Sequence, residues 1–196
     1  MQTITKVFET YKQARNAVDA LVAAGIPMLE ISVLANREIG EQYSDFEKPE
    51  EATEAGAGAG VGAAVGGAAG LLTGLGLMAI PGLGPVVAVG WLASTALGAV
   101  AGGAAGGIVG SLVNSGVPEK HAHVYSEAVR RGGTLVSVQA EDHNVELVYA
   151  ILNTFIPLDP VQKGVTYRAD GWDTFDPTAG PYELTRAAAA LNQPYT

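Results

Sequence analysis

Apolar and polar positions along the chain follow two different rhythms, separated by a long stretch with neither. Thr3-Ile4-Thr5-Lys6-Val7-Phe8 is short, rich in β-branched residues and bounded by polar ones, which predicts a strand. Tyr11, Ala14, Val18, Leu21 and Val22 then recur at helical spacing, with Lys12, Arg15 and Asp19 on the other side. Gly25 follows as the residue that closes such a helix. Glu30-Ile31-Ser32-Val33-Leu34 predicts a second strand, completing a β-α-β unit.

The same rhythms return late in the chain. Pro118 suits the first turn of a helix, whose apolar side is Ala122, Tyr125, Ala128 and Val129. Arg130 and Arg131 favour its C-terminal end, and Gly132-Gly133 stop it. Thr134-Leu135-Val136-Ser137-Val138 predicts a strand. Asp142 or Asn144 caps a further helix with Val145, Val148, Ile151, Leu152 and Phe155 on one face. Leu158 to Val161 is expected as a short edge strand, since Pro160 has no place in a central one. Neither half alone has enough apolar surface for a stable domain. Together they predict one α+β domain of ferredoxin-like type, in halves at residues 1–35 and 118–162, with an acidic linker at 36–54.

Between the halves, at 55–117, the charges vanish. All 11 Lys and Arg and all 20 Asp and Glu lie outside Ala55–Val117. Gly58, Gly62, Gly66, Gly70 and Gly74 repeat every four residues, and so do Ser94, Gly98, Gly102, Gly106 and Gly110. On a helix, such a row lies along one face and lets another backbone approach closely. Each internal glycine costs about 1 kcal/mol relative to alanine, so these helices need packing or a low-polarity surrounding to form. Pro81, Gly82, Gly84 and Pro85 form a strong turn between the rows. The expectation is a glycine-zipper α-helical hairpin with arms near 57–80 and 85–113. At 1.5 Å per residue each arm is on the order of 35–43 Å long, enough for a hydrocarbon core of ~30 Å. A lipid bilayer is therefore one expected surrounding, with both soluble halves on its cytoplasmic side. The other is a cytoplasmic assembly in which the arms pack between copies. Gly and Ala are scarcely hydrophobic, and Val61 and Val65 are the only larger apolar residues from 55 to 70.

Composition narrows the function classes. A net charge of -9 leaves no basic surplus for nucleic acid. With no cysteine, disulfides, thiol catalysis and Cys-type zinc sites are excluded. His121 and His123 point about 200° apart on a helix and do not make one metal site. No Gly-Lys-Ser/Thr follows the glycine runs, so no phosphate loop is expected. Glu47, Glu50, Glu51 and Glu54 lack calcium-loop spacing. The sequence predicts no enzyme, cofactor, metal or small-molecule substrate, and its expected partner is itself. In the tail, residues 163–196, Trp172, Phe175 and Tyr182 stand among Pro, Gly and Asp, as a segment docked on its own domain or a neighbouring copy would.

Several of these motifs occur together in one bacterial family. The Gln13-Ala14-x-x-Ala17-Val18 helix, Ile31-Ser32-Val33-Leu34, the zipper, Ile80-Pro81-Gly82-Leu83-Gly84-Pro85, Gly116-Val117-Pro118-Glu119 and Gly132-Gly133-Thr134-Leu135-Val136 resemble the general-stress and low-temperature-induced proteins with a central glycine-zipper hairpin. The resemblance spans about residues 3–160. It implies a non-enzymatic, stress-associated membrane or assembly protein, the membrane being the bacterial inner membrane, and supplies no catalytic residues; the zippers add the expectation of a homo-oligomer with a structural role.

Overall fold

The computed structural model describes residues 1–36, 76–80, 83–91, 107–179 and 182. The chain is mixed α+β. β1 (Gln2–Phe8) leads into α1 (Tyr11–Ala23), a short 3-10 turn at Met28–Glu30 and β2 (Ile31–Asn36). β3 (Gly76–Ile80) and β4 (Gly84–Val89) follow, then α2 (Gly107–Asn114), α3 (Glu119–Arg130), β5 (Thr134–Ala140), α4 (Val145–Thr154) and α5 (Pro160–Ala169). α1 starts at a capping box: Thr10 Oγ1 accepts from the Gln13 N–H, and Gln13 Oε1 accepts from the Thr10 N–H, both at 3.2 Å. Two of the helix's otherwise unpaired donors are thereby satisfied.

All pairings in the sheet are antiparallel, in the order β1-β5-β2-β4-β3. The core of the sheet is β1-β5-β2, which the two sequence halves build together, and the β4-β3 hairpin extends it beyond β2. Because side chains alternate across a strand, each of these strands feeds two cores. Ile4 and Phe8 of β1, Ile31 of β2 and Val136 and Val138 of β5 meet Ala14, Ala17, Val18 and Leu21 of α1 and Val148 and Leu152 of α4. On the opposite face Val7, Leu34, Leu135, Val86 and Ala88 meet Ile108 and Leu112 of α2, Ala122, Tyr125 and Val129 of α3, and Tyr167 of α5. Thr5 and Ser137 are buried on neighbouring strands, where their hydroxyls bond each other at 2.8 Å.

Three expectations are revised. Helices cover both faces, and the sheet grows beyond β2, so the arrangement departs from a ferredoxin-like sheet with its helices on one side. Leu158–Val161 is not an edge strand: Asp159 caps α5 by accepting from the Val161 N–H at 2.7 Å, and Pro160 is in its first turn. Only the Leu158 N–H touches the edge of β1, donating to the Val7 carbonyl at 2.7 Å. Residues 76–80 and 84–89 are strands, not the inner ends of helical arms. The run Pro-Val-Val-Ala-Val is rich in β-branched residues and short, and the chain reverses between Ile80 and Gly84, which are paired. Gly84 and Pro85, expected in the turn, are the first residues of β4. Pro81 and Gly82 lie outside the described residues, as do Gly58, Gly62, Gly66, Gly70, Gly74, Ser94, Gly98, Gly102, Gly106 and the linker from 37 to 54. Gly110 lies in α2, and a Cβ there would meet nothing within 4 Å. Among the described residues no helix is long and apolar enough to cross a membrane.

Candidate functional site, a C-terminal strap on an arginine pair

Among the described residues, the densest set of polar and aromatic contacts lies where the C-terminal end of α3 meets α5 and the segment after it. Glu127 sits one turn before the end of α3, so Arg130 and Arg131 fall three and four residues on, within reach along the same helix surface. The Glu127 side chain is only 1% exposed. Arg130 donates to it twice, from Nε to Oε2 at 2.8 Å and from Nη2 to Oε1 at 2.7 Å. Arg131 Nε donates to Oε1 at 2.6 Å. A buried carboxylate is tolerable here because both its oxygens are engaged by charged donors.

The arginines carry the charge outward to the strap. Arg131 Nη1 reaches Asp170 Oδ2 at 3.4 Å, just past the end of α5. Its guanidinium stacks 4.1 Å from the Tyr167 ring centre and 4.9 Å from that of Tyr182. Arg130 lies 5.5 Å from the Tyr182 ring centre. These are cation–π distances, with the two cations held between α5 and the tail. Trp172 packs edge-on against Tyr167, ring centres 5.7 Å apart, and its backbone N–H donates to the Tyr167 carbonyl at 2.9 Å. Arg168 lies 5.9 Å from the Trp172 ring. Thr174 Oγ1 and His123 Nδ1 are bonded at 2.9 Å. Phe175 enters the core between sheet and helices. Asp176 folds the next turn by accepting from the Thr178 N–H and Oγ1, which hold its carboxyl below the usual carboxylate range.

Of the three tail aromatics singled out in the sequence, Phe175 is thus buried in this chain's own core, Trp172 is half-buried on α5, and Tyr182 covers the arginine pair. Glu127 was visible in the sequence only as a charge on a helix, yet its spacing to Arg130 and Arg131 was a usable signal for an ion-pair cluster. His121 and His123 both lie on α3, the latter bonded to Thr174, and His143 is exposed beside Glu141. Among the described residues no group of three His, Asp or Glu is placed to hold a metal ion. What the arrangement does chemically is hold a polypeptide segment by charge, ring stacking and burial.

Burial pushes the Tyr167 hydroxyl up to about 12 against the opposing pull of Arg131, and burial with Asp159 pushes that of Tyr125 up to about 12. An unfolded tyrosine ionises near 10. The folded state therefore holds these protons more tightly, its stability is intact below pH 10, and it declines as pH rises from about 10 through about 12. Urea unfolding midpoints are expected to fall across that window, and the fall is expected to be shallower in Tyr167→Phe. An equal slope in the variant would contradict the assignment to Tyr167. No family model, curated protein or solved structure matches this chain.

Proposed function

We propose that the protein is a non-enzymatic structural component that self-associates through its two glycine rows, in the stress-associated role its family resemblance implies. The observation that carries this reading is the position of the β3–β4 hairpin. It was expected as the far turn of a membrane-crossing pair of arms, yet Leu83 and Val86 are fully buried in the core shared with α2 and α3. Both rows therefore start and end at the same domain: 37–75 joins β2 to β3, and 92–106 joins β4 to α2. A single hairpin crossing a bilayer would put Leu83 on the side opposite the core that buries it. Rows of glycine on stretches that join elements of one domain favour close packing against the same rows of another copy.

The absence of charge from Ala55 to Val117 favours a second reading, association with a lipid bilayer. One pair of measurements separates the two. In detergent-free buffer the full chain is expected to run as a uniform particle larger than its 20.0 kDa monomer by light scattering, and Gly66→Leu with Gly102→Leu is expected to reduce that mass. A monomer at all concentrations would sink the self-association reading. Complete recovery with vesicles on flotation, with no soluble particle, would transfer the rows to the bilayer.

A further inference from the structure

We infer that the outer edge of β3 is an assembly surface for a second copy of this chain, which adds its own β3 antiparallel across a two-fold axis at Met78. The inference rests on the self-association reading for its occupant, but on separate residues and backbone geometry.

The backbone parity of the whole sheet can be followed from one bond. The Val7 carbonyl points away from β5, since it accepts the Leu158 N–H. In a regular antiparallel strand alternate residues bond to alternate sides, and every pairing here runs one-to-one without a bulge. The even-numbered residues of β1 therefore face β5. The registers Lys6↔Val136, Leu34↔Leu135, Ala35↔Val87 and Met78↔Val86 carry that parity across. The backbone groups of Gly76, Met78 and Ile80 then face β4, and those of Leu77 and Ala79 face outward. Pro85 agrees independently. It is opposite Ala79, and its missing N–H falls on the side toward β2, beyond the last described pair, Asn36↔Val86. No ladder bond among the described residues is lost there.

The two ends of the sheet differ in how they are guarded. Free strand edges invite pairing with other chains, and proteins blunt them with Lys, Pro, bulges or a covering segment. The β1 end carries Lys6, is touched by Leu158 at Val7, and is followed by Glu9 in an ion pair with Lys163 at 2.6 Å. β3 is Gly-Leu-Met-Ala-Ile, with no charge, no proline and no bulge, and it ends the sheet among the described residues.

Charge selects the occupant. Two copies that each carry -9 repel over most of their surface. The stretch from 55 to 117, which contains β3, is free of charge, so copies meet there without that repulsion. The geometry closes on itself as well. With Met78 opposite its counterpart, Leu77 falls opposite Ala79 of the second copy, and each such pair exchanges two outward hydrogen bonds.

Hydrogen exchange and one proline variant test this. In the full-length protein the Leu77 and Ala79 amides are expected to exchange slowly at high concentration and at least tenfold faster on dilution. Ala79→Pro removes an outward N–H and leaves the ladder to β4 intact, so it is expected to keep the wild-type circular dichroism and halve the particle mass. Met78→Pro, whose N–H faces β4, is expected to lose sheet structure instead. Protection of Leu77 and Ala79 that is absent, or equal at all dilutions because the chain covers its own edge, overturns the proposal. So does a folded Ala79→Pro of unchanged mass; if that variant does not fold, the dilution series decides. A particle that Gly66→Leu with Gly102→Leu disrupts, but whose Leu77 and Ala79 amides ignore dilution, fails the edge and keeps the glycine rows. A two-fold particle insensitive to the glycine variants but split by Ala79→Pro keeps the edge and fails the rows.

Discussion

Replacing Glu127 with alanine is expected to lower the folding free energy by about 3–5 kcal/mol, the usual result of removing one partner from a buried ion pair. Three charged donor bonds end on this carboxylate, at 2.6 to 2.8 Å. Without it, Arg130 and Arg131 face each other at the end of α3 with side chains only 16% and 17% exposed. They must then swing into water or remain as adjacent like charges. In the first case they leave Tyr167 and Tyr182 and in the second their mutual repulsion weakens that stacking, so the variant is expected to loosen the strap as well as the fold. Urea denaturation gives the first effect, and the fluorescence of Trp172, read in a Trp91→Phe background, gives the second. Glu127→Gln keeps the shape and one acceptor oxygen and is expected to fall between wild type and alanine. An alanine variant within 1 kcal/mol of wild type would show that the cluster contributes little and that Phe175, Trp172 and Thr174 hold the strap without it.

The α+β class and the elements of both halves up to α4 are legible because their periods are clean. α1 occupies Tyr11–Ala23, where Ala14, Val18 and Leu21 recur, and α3 runs from the residue after Pro118 to Arg130. Val148 and Leu152 are the buried members of the apolar side read for α4. The second helical layer was hidden. Thr5, Ser32 and Ser137 alternate with apolar residues along β1, β2 and β5 and look like a solvent face, yet all three are buried. Their polarity is accommodated by hydrogen bonding within the interior, as between Thr5 and Ser137.

Two misreadings have specific physical origins. Asp159-Pro160 carried a helix-start signal, a capping carboxylate before a proline in the first turn. The same proline also suits an edge strand, and that competing signal masks the helix start. The run from Leu77 to Val89 is apolar without interruption by charge, so neither period stands out, and short apolar runs of that kind fit a strand or a buried helix equally well. The strap's aromatics were visible as large residues in a polar tail. Their destination was not, because it depends on Glu127, Arg131 and Tyr167 coming together from separate elements.

Gly90→Ala tests the attachment of the β3–β4 hairpin most sharply, and its expected cost is on the order of 3 kcal/mol. Two contributions add. Gly90 has φ +87°, a conformation that costs an L-residue roughly 1–2 kcal/mol. A Cβ there would also run into the Ser32 Oγ, lie 2.5 Å from the Ile31 carbonyl oxygen and 2.9 Å from the Ser32 Cα. Two of these three atoms are backbone of β2, and forcing them apart costs about 1–3 kcal/mol. Gly25→Ala supplies the control. Its φ is +89° but nothing lies within 4 Å of the added carbon, so it isolates the conformational part. The excess of Gly90→Ala over Gly25→Ala measures the close approach of the hairpin to β2. In hydrogen exchange the loss is expected first at Val33 and Ala35, which pair with Val89 and Val87, while the β1–β5 ladder stays protected. Equal costs at the two glycines would mean that β4 does not lie against β2. A single membrane-crossing hairpin would then be compatible with the domain again.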